Sequence, residues 1–389
     1  MKRLHIGLLP RVVIAIVLGI CVGNYLPVGI TRLFVTFNAL FGEFLGFAIP
    51  LIIVGLVAVA IADIGNKAGR LLLLTVAIAY GSTLIAGFIS YFTGAALFPS
   101  MIDKEVSLDA VSQVPGLLPY FKVAIPPLMD VMTALVLSFV LGLGLANLKS
   151  TVLKEVCRDF SDIITRVIAK VIVPLLPLYI FGIFLGMAHA GQVYPVLVVF
   201  VRIILVIFGV HIFVLLLQYT VAGLLVHRNP LKLLVKMLPA YFTALGTQSS
   251  AATIPVTLAQ AVKNGVSEKI AGFVVPLCAT IHLSGSTLKI VACALALMIM
   301  QDMPYDFPMF AGFICLLGIT MVAAPGVPGG AIMAALGVLQ SVLGFDEATQ
   351  ALMIALYIAM DSFGTACNVT GDGAIALMID RILKKKTKY

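Results

Sequence analysis

The segment DSFGTACNVTGDG, Asp361 to Gly373, sets two carboxylates and an amide directly after the apolar run ATQALMIALYIAM. A charged group at membrane depth costs roughly 3 kcal/mol on insertion scales. Counting from Asp361, Thr365 follows by 4 residues, Asn368 by 7 and Asp372 by 11. At about 3.6 residues per turn, the four fall within roughly 60° of one another on a helix. One stripe of oxygen ligands then faces one direction. Carboxylate, amide and carbonyl oxygens suit a hard cation such as sodium, and a carboxylate also pairs with a substrate ammonium. The plainer alternative is that the aspartates pair with Arg or Lys on neighbouring helices. Ionisable residues facing a bundle interior more often mark function. An aspartic-protease dyad is excluded, because eleven residues of helix separate the carboxylates by about 16 Å along the axis, whereas a dyad shares a proton. VTGDG also lacks the first glycine of a GxGD pattern.

These residues need helices to hold them, and the composition supplies helices in lipid. The chain is 61% hydrophobic and only 11% charged, against about 25% charged in soluble domains. Apolar stretches of about 20 residues, long enough to span a bilayer, recur throughout, and the short alternating segments of an outer-membrane barrel do not. The start, MKRLHIGLLPRVVIAIVLGICVGNYLP, has the charged head of a signal peptide. Its apolar part is too long and no cleavage site closes it, so it reads as an uncleaved first helix. The net charge of +8 sits at helix ends rather than in a patch interleaved with aromatics, so nucleic acid is not a partner. Cys21, Cys157, Cys278, Cys293, Cys315 and Cys367 are scattered, without CxxC or Cys/His spacing. This argues against a metal centre or a disulfide framework. Trp is absent, so Tyr and Phe must supply any aromatic belt.

The apolar elements run over 7–27, 34–63, 70–98, 124–147, 159–189, 193–226, 233–262, 268–300, 307–343 and 348–383. Basic residues mark alternate connections: Lys2, Arg3 and Arg11; Lys67 and Arg70; Lys149, Lys154 and Arg158; Arg228, Lys232 and Lys236. Lys263 and Lys269 follow, then the tail with Arg381, Lys384, Lys385, Lys386 and Lys388. The other connections, MIDKEVSLDA, AHAGQVYP, QDMPYD and GFDEAT, are acidic or bare. By the positive-inside rule, 233–262 is basic at both ends and 307–343 acidic at both ends, so each enters and leaves on one side. Each has breaker chemistry at its centre, TQSSAATIP and APGVPGGA. Irregular backbone at that depth is tolerated only where protein or a water-filled cavity surrounds it. The segment after each hairpin is also expected to be broken, at CATIHLSGST and at GTACNVTGDG. Hairpin plus broken helix thus occurs twice in opposite orientations, as inverted repeats do in secondary transporters. The expected fold is an all-α polytopic membrane protein, with eight transmembrane helices plus two re-entrant helical hairpins.

The chain resembles the glutamate transporter family, the dicarboxylate/amino acid:cation symporters. Asp361 with NVTGD (Asn368–Asp372) is similar to the pattern of that family's last helix. SSAATIPVT (Ser249–Thr257) is similar to its serine-rich first tip, and GVPGG (Gly326–Gly330) to its glycine-proline gate. The resemblance covers the whole chain in topology and is most specific from about 240 to 382. It implies an elevator-type homotrimer in the cell membrane with both termini cytoplasmic. The scaffold would be approximately 1–65 and 124–192, and the moving transport part 66–123 and 193–389. It implies that Asp361 binds the substrate amino group and Asn368 its carboxylate, with Gly364 and Thr365 beside them. The tips around Ser249 and Ser250, and around Val327 and Gly329, would close on the substrate. Asp372 and Asn368 would help hold one sodium ion. Cys278 and Thr280, with carbonyls near Val322 and Ala324, would help hold another. No organic cofactor is implied; Na+ and/or H+ would be the coupling ions, and the partners are a small-molecule substrate and the lipid bilayer.

The sequence departs from that pattern at three places. Where the family's seventh helix carries NMDGT, this chain has His282, Leu283, Ser284, Gly285 and Ser286. At least one sodium site is therefore lost or remodelled. His282, with Ser284 beside it, opens proton coupling, or stands as a neutral hydrogen-bonding packer. Acidic-substrate members place an arginine three residues after the amino-binding aspartate, or just before the hairpin serines; here those residues are Gly364 and Gln248. A small neutral amino acid is favoured as substrate. Lys289, seven residues after His282 and expected on the same helical face, argues the other way. It either replaces a coupling cation, supplies positive charge to an acidic amino acid or dicarboxylate, or merely pairs with an aspartate. An ion channel is the alternative from another class. An intramembrane enzyme ranks last, since nothing supplies an oriented triad.

Overall fold

Turn chemistry divides the chain into helices. Asn229, Asp306 and Asp346 each accept a hydrogen bond from the backbone N–H three residues on, at 3.1, 2.8 and 2.8 Å. Such caps satisfy amides that a helix start otherwise leaves open. Two of these acids lie in the connections QDMPYD and GFDEAT, so they start helices as well as marking a side. A computed structural model describes residues 8–66, 69–102, 118–189, 193–324 and 328–386. The basic marks Lys2, Arg3, Lys67 and Lys388 lie outside the described residues. All regular structure among the described residues is helical.

In chain order the helices are α1 Leu8–Gly23, α2 Val28–Asn66, α3 Arg70–Met101, α4 Val131–Asn147 and α5 Val152–Val167. A π-helical turn over Ile168–Ile172 joins α5 to α6 Val173–His189. Then come α7 Val193–Val226, α8 Pro230–Thr247, α9 Ser250–Lys263, α10 Glu268–Ile281 and α11 Ser284–Met300. The chain closes with α12 Phe307–Val322, α13 Gly330–Leu343, α14 Glu347–Ala359 and α15 Asp361–Lys386. The helices follow the apolar segments, and α7 occupies the expected 193–226.

Five helical stretches among the described residues are long and apolar enough to cross a membrane, and α14 with α15 makes a sixth if that bent pair is one span. Among the described residues α1 and α4 run for 16 and 17 residues. The outward faces are apolar. On α4, Val136, Val140 and Leu143 are exposed, and on α7, Val201, Leu205 and Ile212 are. These positions recur at four, three and seven residues, the spacing of one helix face.

Packing gathers the helices in two sets. α2 lies against α4, α5 and α6, and α1 runs along α6. Around α11, whose every residue is buried, stand α3, α7, α14 and α15. α8 and α9 form a helical hairpin: Asn264 at the end of α9 donates to Leu233 O near the start of α8, at 3.0 Å. α12 and α13 pack together as a second pair.

Two expectations need correction. The helix does break at CATIHLSGST, where His282 and Leu283 leave helical geometry between α10 and α11. That break separates His282 from Lys289, so they do not share one helix face. The second break is not within GTACNVTGDG. It lies at Met360, with a 61° bend between α14 and α15, and α15 runs on unbroken through Asp372. The glycines of that segment serve close packing. A methyl at Gly371 would meet Gln218 and His282, and one at Gly373 would meet Met237 and Tyr219.

Candidate substrate and ion site

Both hairpins end at the first turn of α15. In the first tip, Gln248 has φ 54°, a left-handed conformation uncommon outside glycine. Its amide Nε2 donates to Ser362 Oγ at 3.0 Å. Ser249 caps α9 by accepting from Ala252 N at 3.3 Å, and Ser250 opens that helix, buried. In the second tip, Gly329 at φ 74° starts α13 and donates its N–H to Asp361 Oδ2 at 2.8 Å. Val327 lies outside the described residues.

Lys289 reaches the same turn from α11. Its Nζ donates to Met360 O at 3.0 Å, stands 3.7 Å from Asp361 Oδ1 and lies 3.9 Å from the centre of the Tyr357 ring. Met360 lies at the bend, and its carbonyl accepts from Phe363 N and Gly364 N, both at 3.1 Å, as well as from the ammonium. Gly364 lies beneath, where a methyl group would overlap Lys289 Nζ and Cε. The Thr365 hydroxyl turns to its own helix and donates to Asp361 O at 3.0 Å.

One further turn along, Asn368 Oδ1 accepts from Gly285 N at 2.8 Å and Ser286 N at 3.3 Å, the first turn of α11. Its Nδ2 donates to Ser286 Oγ, which also accepts from the Tyr357 hydroxyl at 3.0 Å. Gly285 lets the backbones of α11 and α15 meet, since a methyl there would press on Gly364 O and Cys367.

At the far end of the stripe, His282 Nδ1 is 2.9 Å from Asp372 Oδ1, and both residues are fully buried. His282 Nε2 is 3.1 Å from Ser82 Oγ. Gln218 Nε2 donates to Ser82 Oγ at 3.0 Å and to Ser284 Oγ at 3.2 Å. Asp372 Oδ2 and Gln218 Oε1 are buried without a hydrogen bond among the described residues. The arrangement is a polar network around one carboxylate, able to hold a proton or a small cation.

The second expected ion group is less gathered. The Cys278 carbonyl accepts from His282 N at 2.8 Å, so it closes α10. Thr280 is exposed, and its hydroxyl donates to Leu277 O at 2.8 Å. Val322 packs beside the apolar cluster containing Cys278, while Ala324 is buried in the main core.

Sequence reasoning missed Ser82, Gln218, Tyr357 and the Met360 carbonyl. Gln218 carried a signal, as a lone amide in the apolar run HIFVLLLQYTVAG, since polar side chains inside a span seek partners across helices. The Met360 carbonyl carried none, because a backbone oxygen has no residue type and only the packing of α11 on α15 brings Lys289 to it.

The chain is similar to known transporters. The serine/threonine transporter SstT of Acinetobacter baumannii is 28% identical over 394 residues, covering 97% of each chain. The transporter of the same name from Acinetobacter baylyi is 28% identical over 408 residues, covering 98% of each. Excitatory amino acid transporter 1 of Rattus norvegicus is 30% identical over 265 residues, which cover 65% of this chain and 47% of that protein. Residues 8–382 match the sodium:dicarboxylate symporter family, and the chain belongs to that family.

Proposed function

We propose that this protein is a secondary active transporter that moves a small carboxylate-bearing solute, an amino acid or a dicarboxylate, in symport with a cation. Membership of a symporter family makes it a transporter and not an enzyme. The observation that carries the reading is the convergence of both hairpin tips on one turn of α15, through Gln248 on Ser362 and Gly329 on Asp361. A solute held at Asp361 would be enclosed between two tips, each able to open toward one side. A channel needs no such paired closure.

Within this reading the chain crosses the cell membrane eight times, with α8–α9 and α12–α13 as re-entrant hairpins and both termini cytoplasmic. α1, α2, α4, α5 and α6 would form a scaffold on which the remaining helices move as an elevator, three protomers to an assembly. The mutual packing of α2 with α4–α6 supports that division. Na+ is the coupling ion that the family's description suggests. The pairing of Asp372 with His282 supports a proton in its place, since the imidazole is already on the carboxylate that would ligate sodium. The likeness to the Acinetobacter serine/threonine transporters favours serine or threonine as solute, and the position of Lys289 favours a dicarboxylate.

Uptake of labelled serine, aspartate and succinate into proteoliposomes, under an inward sodium or an inward proton gradient, tests the reading. Accumulation above equilibrium under one gradient is expected. Flux that only equilibrates each solute overturns symport in favour of a channel.

A further inference from the structure

The Lys289 ammonium is 1% exposed and makes one hydrogen bond of ordinary length, to Met360 O at 3.0 Å. Its carboxylate neighbour Asp361 Oδ1 stands 3.7 Å away. N–H···O hydrogen bonds run from about 2.7 to 3.2 Å, and an ammonium carries three donors. Asp361 therefore neutralises Lys289 by charge at a distance and leaves it donor capacity. The Tyr357 ring, 3.9 Å away, adds a cation–π contact without using a hydrogen-bond acceptor. Asp361 is the reverse case. Its Oδ2 accepts from Gly329 N at 2.8 Å and its Oδ1 faces Lys289, so its charge is answered from within the chain.

Resting on the symporter reading above, we propose that Lys289 is the site's own ammonium. The transported class is then small carboxylates without an amino group, succinate among them. A solute that brought an ammonium to Asp361 would set it against Lys289 in a buried site, where like charges repel strongly. A solute carboxylate meets the spare donors of Lys289 instead. It does so beside the N-termini of α11 and α13, where helix dipoles favour negative charge. Gly364 is part of the device, because the lysine lies across α15 only where residue 364 lacks a side chain. Lys289 is on this account a specificity-determining residue, not a bare structural partner of Asp361.

Succinate and aspartate form a matched pair, differing by one amino group. Binding of each to the purified full-length protein, read by thermal shift and by competition for proteoliposome uptake, tests the proposal without any variant. Succinate is expected to bind at least about tenfold more tightly than aspartate. Lys289→Met should reverse the preference by freeing Asp361, gaining aspartate and serine while losing succinate. Lys289→Arg should keep the preference for succinate. A merely structural lysine would alter stability and leave the succinate-to-aspartate ratio unmoved. Aspartate bound and accumulated as well as succinate by the wild-type protein overturns this inference and leaves symport standing. Serine accumulated while succinate is neither bound nor accumulated also overturns this inference and leaves symport standing; none of serine, aspartate and succinate accumulated under either gradient overturns the symporter reading, and this inference with it.

Discussion

Asp361 and Asp372 stand eleven residues apart on the same helix, and each meets one basic side chain from the broken α10–α11 pair. At Asp372 the contact is short, 2.9 Å, and the imidazole is held at its second nitrogen by Ser82. The partners there come from α3, α7 and the residue that follows α10. At Asp361 the ion pair is long, 3.7 Å; the tip glycine Gly329 donates to the carboxylate, and Lys289 makes its own hydrogen bond to the carbonyl of Met360. One carboxylate is built into a network of side chains from neighbouring helices. The other is held by a side chain of α11 and a backbone amide at the start of α13. A polar group buried in lipid must be satisfied, but how many separate segments satisfy it decides whether a ligand can replace one of them.

Removing the looser carboxylate should have the largest effect. Asp361→Ala leaves a buried ammonium without its counter-charge, and breaking one side of a buried pair costs about 3–5 kcal/mol. Thermal unfolding in detergent should drop accordingly and uptake should vanish. Asp361→Asn combined with Lys289→Met should recover most of the stability. If the double variant is no more stable than Asp361→Ala, the long pair is not what stabilises that turn.

At the other end, His282→Ala should cost about 2 kcal/mol, the loss of hydrogen bonds to a charged group. The readout that sharpens the contrast is coupling. The variant should change which gradient, sodium or proton, drives uptake, while the ratio between solutes stays the same. A change in solute ratio without a change in ion dependence would mean the two ends do not divide the work.

Gly364→Ala should be the mildest, about 1–3 kcal/mol from overpacking against Lys289. In a Lys289→Ala background the same change should be nearly neutral, a non-additivity that a double-mutant cycle on unfolding midpoints reads directly. Equal penalties in both backgrounds would show that the lysine does not lie across Gly364.

Much of this was legible in the chain. Apolar runs located the helices, and breaker residues located the helix boundaries at Thr247–Ser249 and at Gly329. The helical spacing of Asp361, Thr365, Asn368 and Asp372 placed a polar stripe on one helix. The glycines of GTACNVTGDG misled, because glycine that weakens a helix in isolation is also glycine that admits a neighbour. Gly364, Gly371 and Gly373 each have a side chain of another helix against them. The true bend, at Met360, falls on a residue that is a good helix former.

Composition and period by themselves determined that this protein is helical, lies in lipid and carries carboxylates where lipid would not tolerate them unaided. Those properties are local, set by residue type and by spacing along a single helix. Which partner each carboxylate takes was decided only in three dimensions. His282 and Lys289 lie seven residues apart, yet the break at Leu283 sends one to Asp372 and the other to Asp361. A change of direction in the backbone has no residue type of its own, and the charges it brings together are distant in the chain.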